Sequence, residues 1–288
     1  GTGLAACGDD ASSTGGRPTI LVTHAVLGSV VKDLAGDRAD VTVLMPAGVD
    51  PHEWRPSAKD VEEVRDADLV VANGLHLEEG LEDALEQAED DGVPVVEAAA
   101  AVEERRLGAD DPAADEHGAG ATDPHFWTDP VQMSRVVDTL ATEIRGRLGL
   151  DLTDRAAALR TRLTALDRDA ARILAAVPEE RRILVTGHES LGYFARRYGF
   201  RVVGTVIPGL SSQAQVSASA LAELKRDIAA QHATVIFTEI GTPTPVVEAI
   251  ADETGARVVE LPSHTLPADG TYDGYIRELA RRIADAEG

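Results

Sequence analysis

The chain is poor in cysteine, in aromatic residues and in long apolar runs. One cysteine among 288 residues excludes an internal disulfide and any zinc site built from several thiolates. Aromatic residues make up only 3% of the chain, so aliphatic side chains must fill the core, and a hydrophobic content of 43% is enough to form one. No stretch of apolar residues is long enough to predict a membrane-spanning helix.

Positive charge is also scarce. The chain carries 27 Lys and Arg residues against 50 Asp and Glu residues, a formal net charge of −23. This balance argues against electrostatic binding of nucleic acid or of an anionic membrane surface. An acidic surface suits a cationic ligand, although solubility alone explains it as well.

The single cysteine lies near the start of the sequence. The segment Leu4-Ala5-Ala6-Cys7-Gly8 resembles a bacterial lipobox, in which the cysteine is lipidated and becomes the mature N-terminus. We therefore interpret residues 1–17 as a lipobox remnant and a flexible tether, with Cys7 as the lipidation site. The predicted location is the outer face of the cytoplasmic membrane, held there by the lipid alone, or the periplasm.

Short apolar runs alternate with longer helical patterns, which is typical of α/β proteins with parallel sheets. Four strands are predicted in each half of the chain, at residues 19–23, 41–45, 69–72, 93–96, 183–186, 202–206, 234–237 and 257–260. The symmetry predicts two similar α/β lobes, at residues 18–150 and 179–288.

Residues 151–178 between the lobes have a regular helical stripe. Its apolar positions are separated by three or four residues and include Leu159, Leu163 and Leu166. This helix is either a rod that connects both lobes or an ordinary amphipathic crossover helix. Residues 103–124 are small, polar and acidic, and we expect a mobile surface loop there.

Four histidines lie in loops where strands end. His52, His188 and His264 follow predicted strands, and His125 lies in the segment from Asp123 to Pro130. Ligands collect beyond the carboxyl ends of parallel strands, and imidazole is a common zinc ligand. Spacing alone leaves two interpretations open, a shared metal site or scattered histidines.

Several sequence blocks resemble the zinc/manganese solute-binding receptors of bacterial ABC importers, over about residues 18–285. The blocks occur in the family's order: Gly48 to Ser57 (Gly-x-Asp-Pro-His-x-Trp-x-Pro-Ser), Asn73 to Glu78, Asp123 to Pro130, His188 with Tyr193 to Gly199, Gly209 to Ser211, and Phe237 to Glu239. The resemblance implies two four-stranded α/β lobes, one long rigid helix joining them, and one divalent metal ion in the cleft between them.

The resemblance carries over His52, His125 and His188 as metal ligands. The family's usual fourth ligand is an aspartate after the last strand, and His264 occupies that position here. Either His264 completes an all-histidine site, or Glu239 (or water) does. Because four imidazoles in a tetrahedron favour zinc and manganese prefers oxygen ligands, we predict zinc, with manganese as the alternative.

Further residues are assigned auxiliary roles. Asp50 and Asp129 are expected to accept hydrogen bonds from ligand imidazoles. His24, just after the first strand, is a candidate for the same outer layer. His117 in the acidic loop either captures metal transiently, as that loop is proposed to do in the family, or belongs to a solvated linker.

The predicted function is that of a receptor, not an enzyme. It captures zinc outside the cytoplasm and delivers the ion to an ABC permease, and we expect a monomer. A zinc hydrolase, with Glu189 or Glu239 as general base, would need an open coordination position, which a fourth histidine removes.

Overall fold

Two parallel sheets form the framework of the protein. The computed structural model describes residues 16–108 and 120–288. The strands are β1 (Thr19–Val22), β2 (Asp40–Val43), β3 (Leu69–Ala72), β4 (Val95–Glu97), β5 (Ile183–Thr186), β6 (Arg201–Thr205), β7 (Val235–Thr238) and β8 (Arg257–Glu260). The strand orders are β2-β1-β3-β4 and β6-β5-β7-β8, and these strands pair in parallel. The predicted α/β fold with two four-stranded parallel sheets is confirmed.

Helices flank both sheets, because parallel neighbours need a crossover connection. Within the described residues the α-helices are α1 (Ala25–Ala35), α2 (Ala58–Arg65), α3 (Glu82–Asp90), α4 (Pro130–Leu148), α5 (Thr153–Leu174), α6 (Gly192–Tyr198), α7 (Ala218–Gln231), α8 (Thr244–Thr254) and α9 (Tyr272–Glu287). Short 3-10 helices span Ala98–Ala101, Phe126–Thr128 and Glu179–Arg181. No helix in this part of the chain has the length and apolar character needed to cross a membrane.

The predicted interlobe helix corresponds to α5. It has 22 residues, about 33 Å at 1.5 Å per residue, and is shorter at both ends than residues 151–178. Before its start, Asp151 accepts hydrogen bonds from the backbone and hydroxyl of Thr153. Its buried stripe joins a cluster that also contains Val22 of the first lobe and Leu184 of the second. Because both lobes share this apolar core, their relative motion is restrained.

Asp167 ties α5 to α6. Its carboxylate accepts two hydrogen bonds from the Arg197 guanidinium, one of them at 2.8 Å, and a third from the Tyr198 hydroxyl at 3.2 Å. The Asp167 side chain is only 12% exposed, so water competes little for these hydrogen bonds. Helix α6 follows the loop that carries His188, and the contact therefore anchors one wall of the cleft.

We expect the substitution Asp167→Asn to lower the free energy of unfolding by about 1–3 kcal/mol, because it weakens charge-assisted hydrogen bonds in a nearly buried position. Asp138→Asn is the matched control, since Asp138 pairs with Arg160 where both side chains are about half exposed. That change should cost at most about 1 kcal/mol. Urea unfolding of the two variants measures both losses, and equal losses would contradict a special role for Asp167.

Candidate metal centre

Four histidine side chains from four different loops meet at one point. His188 directly follows β5, His52 and His264 lie in the loops after β2 and β8, and His125 precedes the short helix Phe126–Thr128. Each ring offers one nitrogen, and these four atoms all lie within 4.8 Å of one another. The structure thus brings together the four histidines that the sequence singled out.

The spacing of the nitrogens suits one small cation. The Nε2 atom of His125 lies 3.2 Å from Nε2 of His52 and 3.2 Å from Nε2 of His188. A tetrahedral zinc ion with bonds of about 2.0–2.1 Å holds its ligand atoms about 3.3 Å apart. All four side chains are buried, with His264 the most exposed at 4%. A metal ion bound here would be enclosed by protein.

The first lobe holds its two histidines in the same way. Each follows the dipeptide Asp-Pro, and the Oδ1 atom of the aspartate accepts the backbone N–H of the histidine. The distance is 3.0 Å from His52 to Asp50 and 2.9 Å from His125 to Asp123. Such Asx turns fix the backbone of a loop locally. The two Asp-Pro-His segments therefore present their imidazoles from preformed turns.

Three of the rings contact a polar side chain through Nδ1. The pairs are His125 with Asp123 Oδ1 at 2.8 Å, His188 with Glu239 Oε1 at 2.8 Å, and His264 with Ser263 Oγ at 3.0 Å. Contacts of this kind orient a metal-binding imidazole and fix which nitrogen carries the proton. With Nδ1 engaged, Nε2 is the atom directed to the common point.

The rings differ in how readily they accept a proton. Burial lowers the pKa of His125 below its usual value and lowers that of His264 to about 4, despite nearby carboxylates. Burial also acts against charge on His188, but the Glu239 carboxylate outweighs it and raises the His188 pKa. His125 and His264 are therefore neutral at pH 7, and His188 is where a proton competes most strongly with a cation.

Comparison with known proteins agrees with this geometry. A sequence model of the family described as "Zinc-uptake complex component A periplasmic" (ZnuA) matches residues 20–286. The chain belongs to this family. The resemblance found in the sequence is confirmed, and the match spans both lobes.

Individual ZnuA-family relatives cover nearly the whole chain. It is 30% identical to the zinc-binding protein TroA of Treponema pallidum, over 94% of this chain and 89% of TroA. It is 28% identical to the manganese-binding lipoprotein MntA of Bacillus subtilis, over 98% of this chain and 94% of MntA. The solved structure of TroA superposes with a TM-score of 0.81 at 31% identity, covering 94% of this chain and 99% of TroA.

The ZnuA family consists of metal-binding receptors, and the protein is a receptor rather than an enzyme. Its relatives are named for zinc and for manganese. Membership of the family therefore shows that the protein binds a metal ion but does not identify the ion. The choice of ion depends on the ligands of this particular chain.

An arginine and two carboxylates lie beside the four histidines. Arg105 lies 3.0 Å from Asp123 and 3.0 Å from Glu189, and both acidic side chains are fully buried. Leu107, two residues further, is buried as well. The described ends of the segment 103–124 therefore differ from the expected surface loop, because they pack against the metal centre. Residues 109–119, including His117, lie outside the described residues, as does Cys7.

We expect Arg105→Met to lower the free energy of unfolding of the metal-free protein by about 3–5 kcal/mol, because it removes the guanidinium that pairs with two buried carboxylates. The neighbouring Arg106 pairs with Glu104 on the surface, with side chains 61% and 42% exposed. Arg106→Met should therefore cost at most about 1 kcal/mol. Thermal unfolding measures the loss of stability in each variant. A loss for Arg105→Met no larger than that for Arg106→Met would contradict a stabilising role for the buried ion pairs of Arg105.

The remaining predicted residues take different positions. Asp129 caps α4 by accepting the N–H of Val131 at 2.8 Å, whereas Asp123, which was not singled out, contacts a histidine ring. The tripeptide Asp-Pro-His occurs at both His52 and His125, and this repeat is the sequence signal that points to Asp123. Glu239 is outside the four-histidine group and lies against the Nδ1 side of His188.

His24 is buried next to the group without joining it. Its Nε2 lies 3.3 Å from Asn73 Oδ1, and its ring packs 5.0 Å from that of Trp127. The Trp127 ring also contacts His125 and His264. Burial lowers the pKa of His24 to about 3, so it is neutral and contributes to packing behind the metal centre.

Proposed function

We propose that the protein is a zinc receptor that binds one ion through His52, His125, His188 and His264. The observation that carries this proposal is the convergence of four buried imidazole nitrogens within 4.8 Å. Four nitrogen ligands complete a tetrahedral zinc site and leave no open position for water. The ion is then cargo, held until it is released to a transporter.

The donor set favours zinc over manganese. Manganese prefers oxygen ligands and higher coordination numbers. The carboxylates of Asp123 and Glu239, which lie beside the rings, contact the Nδ1 atoms of His125 and His188. Those carboxylates offset the charge of a divalent ion without entering its coordination shell. Copper would bind such nitrogens more tightly than zinc, so selectivity also depends on which metal is available.

The partner that we propose is the permease of an ABC importer, which takes the ion from the loaded receptor. We further propose that the receptor acts as a monomer outside the cytoplasmic membrane, anchored through a lipid on Cys7. Relatives named as metal-binding lipoproteins, such as MntA and the zinc-binding AdcA of Streptococcus pneumoniae, support the anchor. Metabolic labelling with a fatty acid tests it, since Cys7→Ser should abolish incorporation of the label.

Metal analysis followed by titration tests the binding proposal. The purified protein should contain one zinc ion per chain. After removal of the metal with a chelator, zinc should bind far more tightly than manganese in competition with a chelator of known affinity. Manganese binding as tight as zinc binding would contradict the all-histidine assignment and would point to Glu239 as the fourth ligand.

A further inference from the structure

Ser263, next to His264 in the loop after β8, makes polar contacts through both its hydroxyl and its carbonyl. Its hydroxyl oxygen lies 3.0 Å from Nδ1 of His264, and the hydroxyl also hydrogen-bonds the carboxylate of Glu239. Its carbonyl oxygen accepts hydrogen bonds from Nε1 of Trp127 at 3.0 Å and from the hydroxyl of Tyr275 at 2.9 Å. Ser263 itself is 2% exposed, so water does not compete for these contacts.

The hydroxyl determines which nitrogen of His264 carries a proton. Glu239 accepts hydrogen bonds from the backbone N–H of His188 and from the hydroxyl of Ser190, so its side chain acts here as an acceptor. The Ser263 O–H therefore donates to Glu239, and its oxygen accepts the Nδ1–H of His264. Nε2 is then left with its lone pair, and this buried atom has no hydrogen-bond partner among the residues that the structure describes.

The carbonyl contacts connect the His264 loop to the His125 loop. Trp127 lies two residues after His125, and its ring centroid is 5.3 Å from that of His125 and 5.6 Å from that of His264. The backbone oxygen of Trp127 in turn accepts the hydroxyl of Tyr272 at 2.8 Å. These contacts hold the loops of the two lobes at a fixed separation.

We propose that Ser263 is a positioning residue that makes His264 a competent fourth ligand. Its hydroxyl connects Glu239 to His264 and directs the lone pair of Nε2 to the metal, while its carbonyl anchors the loop. Glu239 thus orients two ligands, His188 directly and His264 through Ser263. This inference rests on the proposed function, because it requires His264 to bind the ion.

A double-mutant cycle with zinc tests the inference. Ser263→Ala removes the hydroxyl and keeps the carbonyl, and we expect it to weaken zinc binding by about 10- to 100-fold, as is usual for an outer hydrogen-bond partner of a ligand. In a His264→Ala background the same change should have no further effect, because Ser263 acts through His264. Ser29→Ala, which removes a buried hydroxyl in α1, is the matched control and should leave the affinity unchanged.

Cobalt(II) provides a spectroscopic readout that a general loss of stability would not change. Tetrahedral cobalt absorbs visible light strongly, and Ser263→Ala should weaken these bands while the Ser29→Ala control keeps them. An unchanged zinc affinity for Ser263→Ala, or an equal loss with and without His264, would overturn the inference. A wild-type affinity for His264→Ala would instead overturn the proposed ligand set, and the inference with it.

Discussion

Replacing His264 by alanine is expected to weaken zinc binding by more than about 100-fold, which exceeds the usual cost of losing an outer partner. The substitution removes one of four nitrogens from the coordination shell. Water would fill the vacated position and form a weaker bond to an ion that is otherwise enclosed. Competition with a chelator of known affinity measures the loss in the variant and in the wild-type protein.

The matched control is a histidine outside the centre. His76 is 87% exposed, contacts Glu82, and has a φ angle of 59°, a conformation that asparagine tolerates. His76→Asn should therefore retain wild-type affinity, and so should His117→Ala in the acidic segment. Comparable losses for His264→Ala and for either control would contradict the role of His264.

Lowering the pH from about 7.5 to about 5 is expected to weaken zinc binding by at least about 30-fold. Zinc binds only the neutral imidazole, and the pKa of His188 is raised above its usual value of 6.5 by Glu239. Protons therefore begin to compete near neutral pH, and each further unit below the pKa costs about tenfold. A second loss is expected near pH 4, where His264 takes up a proton.

Titrations at several pH values measure this dependence. Glu239→Gln removes the charge that raises the pKa of His188, so the first loss of affinity should move to lower pH in this variant. Equal zinc affinity at about pH 7.5 and about pH 5 in the wild-type protein would contradict a shell made mainly of histidines.

The strands, and the placement of histidines in the loops after them, are predictable from the sequence because both depend on local signals. Runs such as Leu69–Ala72 are apolar throughout, as strands buried on both faces must be. His188 comes shortly after such a run, so the sequence alone places it at the carboxyl end of a strand. Family resemblance then groups it with His52 and His125, which are distant in sequence, and leaves the fourth ligand open between His264 and Glu239.

The partners of those histidines were not predictable in the same way. Ser263 is one of many serines, and its importance comes from Glu239, Trp127 and Tyr275, which only the folded chain brings to it. Arg105 lies in a segment whose composition resembles a surface loop, yet its guanidinium pairs with two buried carboxylates. The roles of both residues therefore depend on tertiary contacts, which a local sequence pattern does not show.

X-ray absorption spectroscopy of the zinc-loaded protein distinguishes an all-histidine site from one that contains a carboxylate, because it reports the atoms bound to the ion. We predict four nitrogen neighbours at about 2.0–2.1 Å, with the scattering pattern of imidazole rings. In the His264→Ala variant one of the four imidazole signals should be lost. A wild-type shell of five or six neighbours that includes carboxylate oxygen would contradict the all-histidine site.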